Sequence, residues 1–84
     1  MVRLGLAGRP EMIWAYQTRI GTFWIRADRS GRFVLGVGDV GLGSYHSPHA
    51  AADDVYMCAT GHWEWDRQGH VTEPTDLTEW QRLR

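Results

Sequence analysis

From Met12 to Tyr45 apolar and polar residues alternate in short runs broken by turn residues, which predicts a series of short strands. The turns set the pairing. Ala27 to Arg32 reads as a three-residue hairpin loop with Gly31 in the left-handed position, so Asp28 pairs with Arg32, Ile25 faces Leu35 and Phe23 faces Val37. Val37-Gly38-Asp39-Val40 reads as a two-residue type II′ turn with glycine first, which sets Val37 opposite Val40 and Leu35 opposite Leu42. Both turns place Phe23, Ile25, Phe33, Leu35, Val37, Val40 and Leu42 on one face. For the first strand, a two-residue turn at Arg19-Ile20 puts Tyr16 opposite Phe23 and Trp14 opposite Ile25, with both aromatics in the core. A bulge at Gly21 would reverse them.

The period then changes. Ser47 is a suitable N-cap and Pro48 sits at the first helical position. Ala51, Val55, Cys58 and Ala59, with Ala52 at the edge, form a small-residue stripe, and Gly61 is the expected stop. Asp53 and Asp54 lie on the solvated side. Residues 1–10 show no periodicity and are expected to be a flexible lead-in. The meander and helix occupy 11–66, and 67–84 form a tail that packs back on the domain. Its segment Pro74 to Leu83 is expected to hold a short helical turn carrying Leu77 and Trp80. The fold class is therefore α+β: an antiparallel β-meander of three to four strands, one α-helix packed on one face, and a Trp-rich C-terminal tail.

The same registers describe the opposite face. Trp24 faces Gly36, and Gly36 faces Gly41. Arg26 faces Val34, Val34 faces Gly43, and Tyr45 faces Arg32. The expectation is a lane without side chains over Gly36, Gly41 and Gly43, bordered by Trp24, Arg26 and Tyr45. Glycine inside a strand often marks close approach by another group. Two occupants fit: the chain's own tail, carrying Trp63, Trp65 and Trp80, or an external partner such as a base, a peptide or a second copy. An aromatic beside an Arg on a sheet is a common stacking platform.

Composition narrows the choice. The 84 residues carry a net charge of −1, and all nine basic residues are Arg. Residues 1–32 hold Arg3, Arg9, Arg19, Arg26, Arg29 and Arg32 against Glu11 and Asp28, whereas the remainder is acidic. A nearly neutral chain lacks the basic field on which non-specific nucleic-acid binding rests. A single cysteine, Cys58, rules out an internal disulfide. Neither a signal-peptide apolar run nor a membrane span is read, so a cytoplasmic setting without membrane contact is expected.

Candidate chemistry is sparse. Gly36-Val-Gly38-Asp-Val-Gly41 matches GxGxxG, but a strand rather than a helix follows it, so the glycines read as turn residues. His46, His49, Cys58, His62 and His70 are the possible ligands; His46 and His49 span the helix N-cap and Cys58 lies one turn before His62, but the one thiol falls on the packing stripe, so no metal site is expected. Asp53 and Asp54 are adjacent on the helix and point about 100° apart, so they do not form a facing carboxylate pair. No catalytic constellation and no cofactor site emerge.

One segment carries a resemblance. Leu42, Gly43, Ser44, Tyr45, Ser47, Ala51 and Ala52 resemble the strand-to-helix junction of plant ethylene-response-factor type DNA-binding domains. The arm-binding domain of tyrosine-recombinase integrases is similar in architecture, a three-stranded sheet and a helix. Both resemblances imply a sheet that lies on DNA. As a whole the chain also resembles small bacterial single-domain proteins of unknown function. Two functions are expected from this reading. The first is a non-enzymatic protein-interaction or self-association module. The second is a nucleic-acid-associated module acting through the outer sheet face. The candidate contact residues are Trp24, Arg26, Arg19, Arg32, Tyr45, Gly36, Gly41 and Gly43.

Overall fold

The computed structural model describes residues 12–84, so the expected lead-in over 1–10 lies outside the described residues. Five strands form one antiparallel sheet: β1 (Ile13–Thr18), β2 (Gly21–Ala27), β3 (Phe33–Val37), β4 (Val40–Tyr45) and β5 (Gln81–Arg82). Their order across the sheet is β4-β3-β2-β1-β5. One helix, α1 (Pro48–Tyr56), packs on one face, followed by a single helical turn, α2 (Trp63–Asp66), and a 3₁₀ turn over Leu77–Glu79. The α+β architecture read from the sequence is the observed one, with a fifth strand added by the tail. Two residues carry no alternation to read, so β5 had no sequence signal.

The hairpins follow their turn chemistry. At the β2–β3 turn the Asp28 carboxylate accepts from the Ser30 N–H, the Ser30 hydroxyl and the Arg32 N–H, and Gly31 has φ 88°. Those bonds, led by the Ser30 hydroxyl, hold the Asp28 carboxyl below its ordinary range. The register is the expected one: Ile25 faces Leu35 and Phe23 faces Val37. At the β1–β2 turn Thr18 Oγ1 accepts from the Ile20 N–H and donates to the Gly21 carbonyl. The turn is the two-residue one, so Tyr16 faces Phe23 and Trp14 faces Ile25.

The β3–β4 pairing departs from expectation. Gly38 has φ 57° and Val37 faces Val40, as the turn requires. One step on, a β-bulge intervenes: Gly36 faces Gly41, but Leu35 faces Gly43, which leaves Leu42 as the extra residue. Every later partner shifts by one, so Val34 faces Ser44 and Phe33 faces Tyr45. A one-residue shift exchanges the faces. Gly43 and Tyr45 therefore lie on the helix side and not on the outer face. The packing gain favours the bulge: Leu42 and Tyr45 both join the core, and the Tyr45 hydroxyl donates to Asp54 Oδ2 of α1 at 2.8 Å.

The helix starts as expected, with Ser47 Oγ accepting from the Ala50 N–H. Its end differs. The Cys58 N–H bonds the Val55 carbonyl and the Ala59 N–H bonds the Asp54 carbonyl, with Cys58 at φ 55°. This is a Schellman cap in which cysteine holds the left-handed position that glycine usually takes. Gly61 does not end α1, and of the expected stripe only Ala51, Ala52 and Val55 are buried. Cys58 is half-buried and Ala59 exposed, because both have left the helix.

The core lies between the sheet and this layer. Phe23, Ile25, Leu35 and Val55 are fully buried. Burying each such side chain contributes roughly 1.5–3 kcal/mol. The tail completes the same face. Trp65 packs edge-on against Phe23 at 5.1 Å between ring centroids, and its Nε1–H donates to the Val55 carbonyl. Trp80 lies against Tyr16 at 5.8 Å, and Val71, Pro74 and Leu77 of the tail are buried as well. Trp65 and Trp80 thus bury on the helix side, and the expected tail cover over the outer lane is not formed by them.

Candidate functional site

The outer face is built from alternate strand positions: Ile13, Ala15 and Gln17 on β1, Thr22, Trp24 and Arg26 on β2, Val34 and Gly36 on β3, Gly41 and Ser44 on β4, and Gln81 on β5. None of these is Asp or Glu. Of the eight candidate residues, four meet here: Trp24, Arg26, Gly36 and Gly41.

Their arrangement explains the glycine in β3. The Trp24 indole lies flat across Gly36, so close that a Cβ there would stand 2.1 Å from the ring. Its Nε1–H donates to the Gly38 carbonyl at 2.8 Å, which pins the ring over the β3–β4 turn. The Arg26 guanidinium stands 5.2 Å from the Trp24 ring centroid, within cation–π range. The close approach that the glycine pattern predicted is therefore made within the sheet, by Trp24 itself. Gly41, by contrast, has open space where a Cβ would point.

Arg32 reaches this face from its rim. Its Nε donates to Ser44 Oγ at 2.7 Å and its NH2 group to the Ser44 carbonyl at 2.9 Å. That clamp ties the end of β4, one edge strand of the sheet, to the β2–β3 turn. Bulge and clamp together are the usual means of blunting an edge strand. Arg19 sits at the opposite end, in the β1–β2 turn, away from Arg32. Tyr45 and Gly43 belong to the helix side, as the bulge dictates. Burial, then the bond to Asp54, pushes the Tyr45 hydroxyl well above its ordinary range. Its role is docking α1.

Beside Trp24, where the ring leans toward β3 and away from β1, the sheet is lower. A shallow groove runs there, lined by Ala15, Gln17, Thr22, Gln81 and Leu83, with Tyr16 and the Glu79 carboxylate also in its wall. Leu83 is an exposed apolar residue at its border, 51% accessible. This groove is not legible in the sequence, because one of its walls is made by β5 and its neighbour Leu83.

The cysteine and histidines are dispersed. Burial pushes the Cys58 thiol up, which disfavours its nucleophilic form. Among the described residues no three His, Cys, Asp or Glu side chains converge as metal ligands would. Among the described residues no helix is long and apolar enough to cross a membrane.

Six of the seven junction residues that carry the resemblance have a packing or capping role, and Ser44 is the acceptor for Arg32. Leu42 and Gly43 form the bulge, Tyr45 bonds the helix, Ser47 caps it, and Ala51 and Ala52 let it sit close to the sheet. Comparison with protein-family models, with curated proteins and with solved structures finds no match to this chain.

Proposed function

We propose that the chain is a non-enzymatic protein-interaction module whose contact surface is the outer sheet face. The observation that carries this reading is where the tail goes. Trp65, Val71, Leu77 and Trp80 all bury on the helix side, while Trp24 and Arg26 stay on a face with no cover from them. Trp and Arg are the residues most enriched at interface hot spots. Ile13, Ala15, Val34 and Leu83 add apolar area around them.

The charge pattern bears on the partner. Arg26, stacked on Trp24, is the cation this face presents, while Arg32 at the rim has the Asp28 carboxylate beside it, so an acidic partner group complements Arg26. Two copies meeting through this face would bring the Arg26 and Arg32 cations of both into one interface, which disfavours a symmetric dimer. Pairing through β4 is opposed by its bulge and by the Arg32 clamp. A foreign protein is therefore preferred over self-association, in a cytoplasmic setting.

A photo-crosslinking residue at Thr22, on the outer face, tests this in cells against one at Asp53, on the exposed side of α1. A discrete adduct from position 22 and none from 53 is expected. Equal adducts from both contradict the reading.

The Trp24–Arg26 stack also supports a second reading, a nucleic-acid-associated module. A base could add to that stack while Arg32 meets a phosphate. An NMR titration with DNA and RNA oligonucleotides at low salt separates the two. Shifts at Trp24 and Arg26 that vanish as salt rises favour nucleic acid. Their absence leaves the protein reading.

A further inference from the structure

Trp63 stands out from the other tryptophans. It is 72% accessible, the most exposed large apolar side chain among the described residues, while Trp65 two positions on is 6% accessible. The turn that presents it is firmly held. Trp65 is locked by Phe23 and by its bond to the Val55 carbonyl. The Asp66 carboxylate accepts from the Thr60 N–H, the Thr60 hydroxyl and the Gly61 N–H. Arg67, four residues after Trp63 on the same turn, places its guanidinium 5.0 Å from the Trp63 ring centroid. Beside this pair a groove opens between α2 and the β1–β2 turn, lined by Arg19, Ile20, Glu64, Arg67 and Gln68. The lining holds two guanidiniums against one carboxylate, with Ile20 as its apolar residue, and one of those guanidiniums stacks on the exposed Trp63 indole.

We propose that this groove is a second recognition site, which binds a short acidic peptide segment of another protein. An apolar side chain of the segment packs on Trp63 and Ile20, and carboxylates flanking it meet Arg19 and Arg67. Guanidinium–carboxylate pairs are charge-assisted and directional, which suits that geometry. The choice of occupant follows from charge. The two guanidiniums outnumber Glu64 and so call for anionic groups, but Glu64 in the lining repels a continuous phosphate backbone. Carboxylates spaced along a peptide can avoid it. The site lies on α2 and the β1–β2 turn and does not depend on the outer-face reading.

Selection of a displayed library of short random peptides on the full chain tests the site. Enriched peptides are expected to hold an apolar residue flanked by acids. Their affinity should fall by at least about tenfold in Trp63→Ala and in Arg67→Ala, as for hot-spot truncations. Arg67→Lys keeps the charge and loses the planar stack, so its loss should be smaller but clear. Arg26→Ala should leave binding unchanged, which separates this site from the outer face. Trp63 is exposed, so its variant should melt with the parent, and a matching melting curve accompanies the binding data. Enrichment of peptides without acids, or of none, overturns the proposal. So does affinity indifferent to Trp63→Ala, or an effect of Trp63→Ala confined to oligonucleotide binding or to a light-scattering dimer of the chain.

Discussion

Trp24 and Gly36 occupy one space: the indole of the first lies where a side chain on the second would be. The pairing is local to neighbouring strands, and it fixes the shape of the outer face. Gly36→Ala must therefore displace the ring and its bond to the Gly38 carbonyl. A loss of about 1–3 kcal/mol is expected, as for overpacking in a tight site. Gly41→Ala meets open space and should change stability by less than about 1 kcal/mol, the propensity scale of an exposed strand position. Urea unfolding of both variants, with the Trp24 indole N–H resonance as a local probe, checks the contrast.

Cys58 ends α1 with φ 55°, which an L side chain adopts at a cost. Cys58→Gly removes that cost, while Cys58→Ala keeps it and loses the same sulfur packing. The glycine variant should be more stable than the alanine variant by about 1 kcal/mol. Equal denaturation midpoints would show that the left-handed cap carries no strain.

The Tyr45–Asp54 bond ties β4 to α1. Tyr45→Phe should cost about 1 kcal/mol near neutral pH, the usual net value of one hydrogen bond. It should also change the alkaline limb. The Tyr45 pKa is raised in the fold, first by burial and then by Asp54. Above the unfolded tyrosine pKa of about 10 the unfolded chain loses this proton and the folded chain keeps it, so stability falls as pH rises. Stability measured from pH 8 upward should fall less steeply in Tyr45→Phe. A residual slope is expected from Tyr16, whose pKa burial and then Glu73 also raise.

Asp66 holds the loop between α1 and α2 through three accepted bonds, two of them from the buried Thr60. Asp66→Ala leaves those donors unpaired. A loss of about 1–3 kcal/mol is expected. Faster amide exchange at Thr60 and Gly61 would locate the effect.

The parts of this fold legible in the sequence are those governed by one dominant local rule. Asp28 and Gly31 fix the β2–β3 hairpin and Ser47-Pro48 fixes the start of α1, whereas Arg19-Ile20 allowed both a turn and a Gly21 bulge, of which the structure has the turn. The parts not legible are those where two rules compete. At Leu42 alternation favours continued pairing, but burying both Leu42 and Tyr45 against α1 favours a bulge, and packing prevails. At Gly61 propensity favours a glycine cap, yet Cys58 ends the helix earlier, where Trp65 can reach the Val55 carbonyl. The candidate site divides along the same line. Trp24, Arg26, Gly36 and Gly41 precede the bulge or face its unshifted partners and come together. Gly43 and Tyr45 follow it and change face. The exposure of Trp63 was not legible either, because a tryptophan's place is set by what remains uncovered once the core is full.

The central claim is that the outer face, through Trp24 and Arg26, is where a protein partner binds. Crosslinking from Thr22 in three backgrounds tests it most directly: the parent chain, Arg26→Ala, and Arg82→Ala, whose guanidinium lies over Trp14 rather than Trp24. A single adduct that is lost in Arg26→Ala and kept in Arg82→Ala is predicted. An adduct indifferent to Arg26, or equally strong from Asp53, would contradict the account.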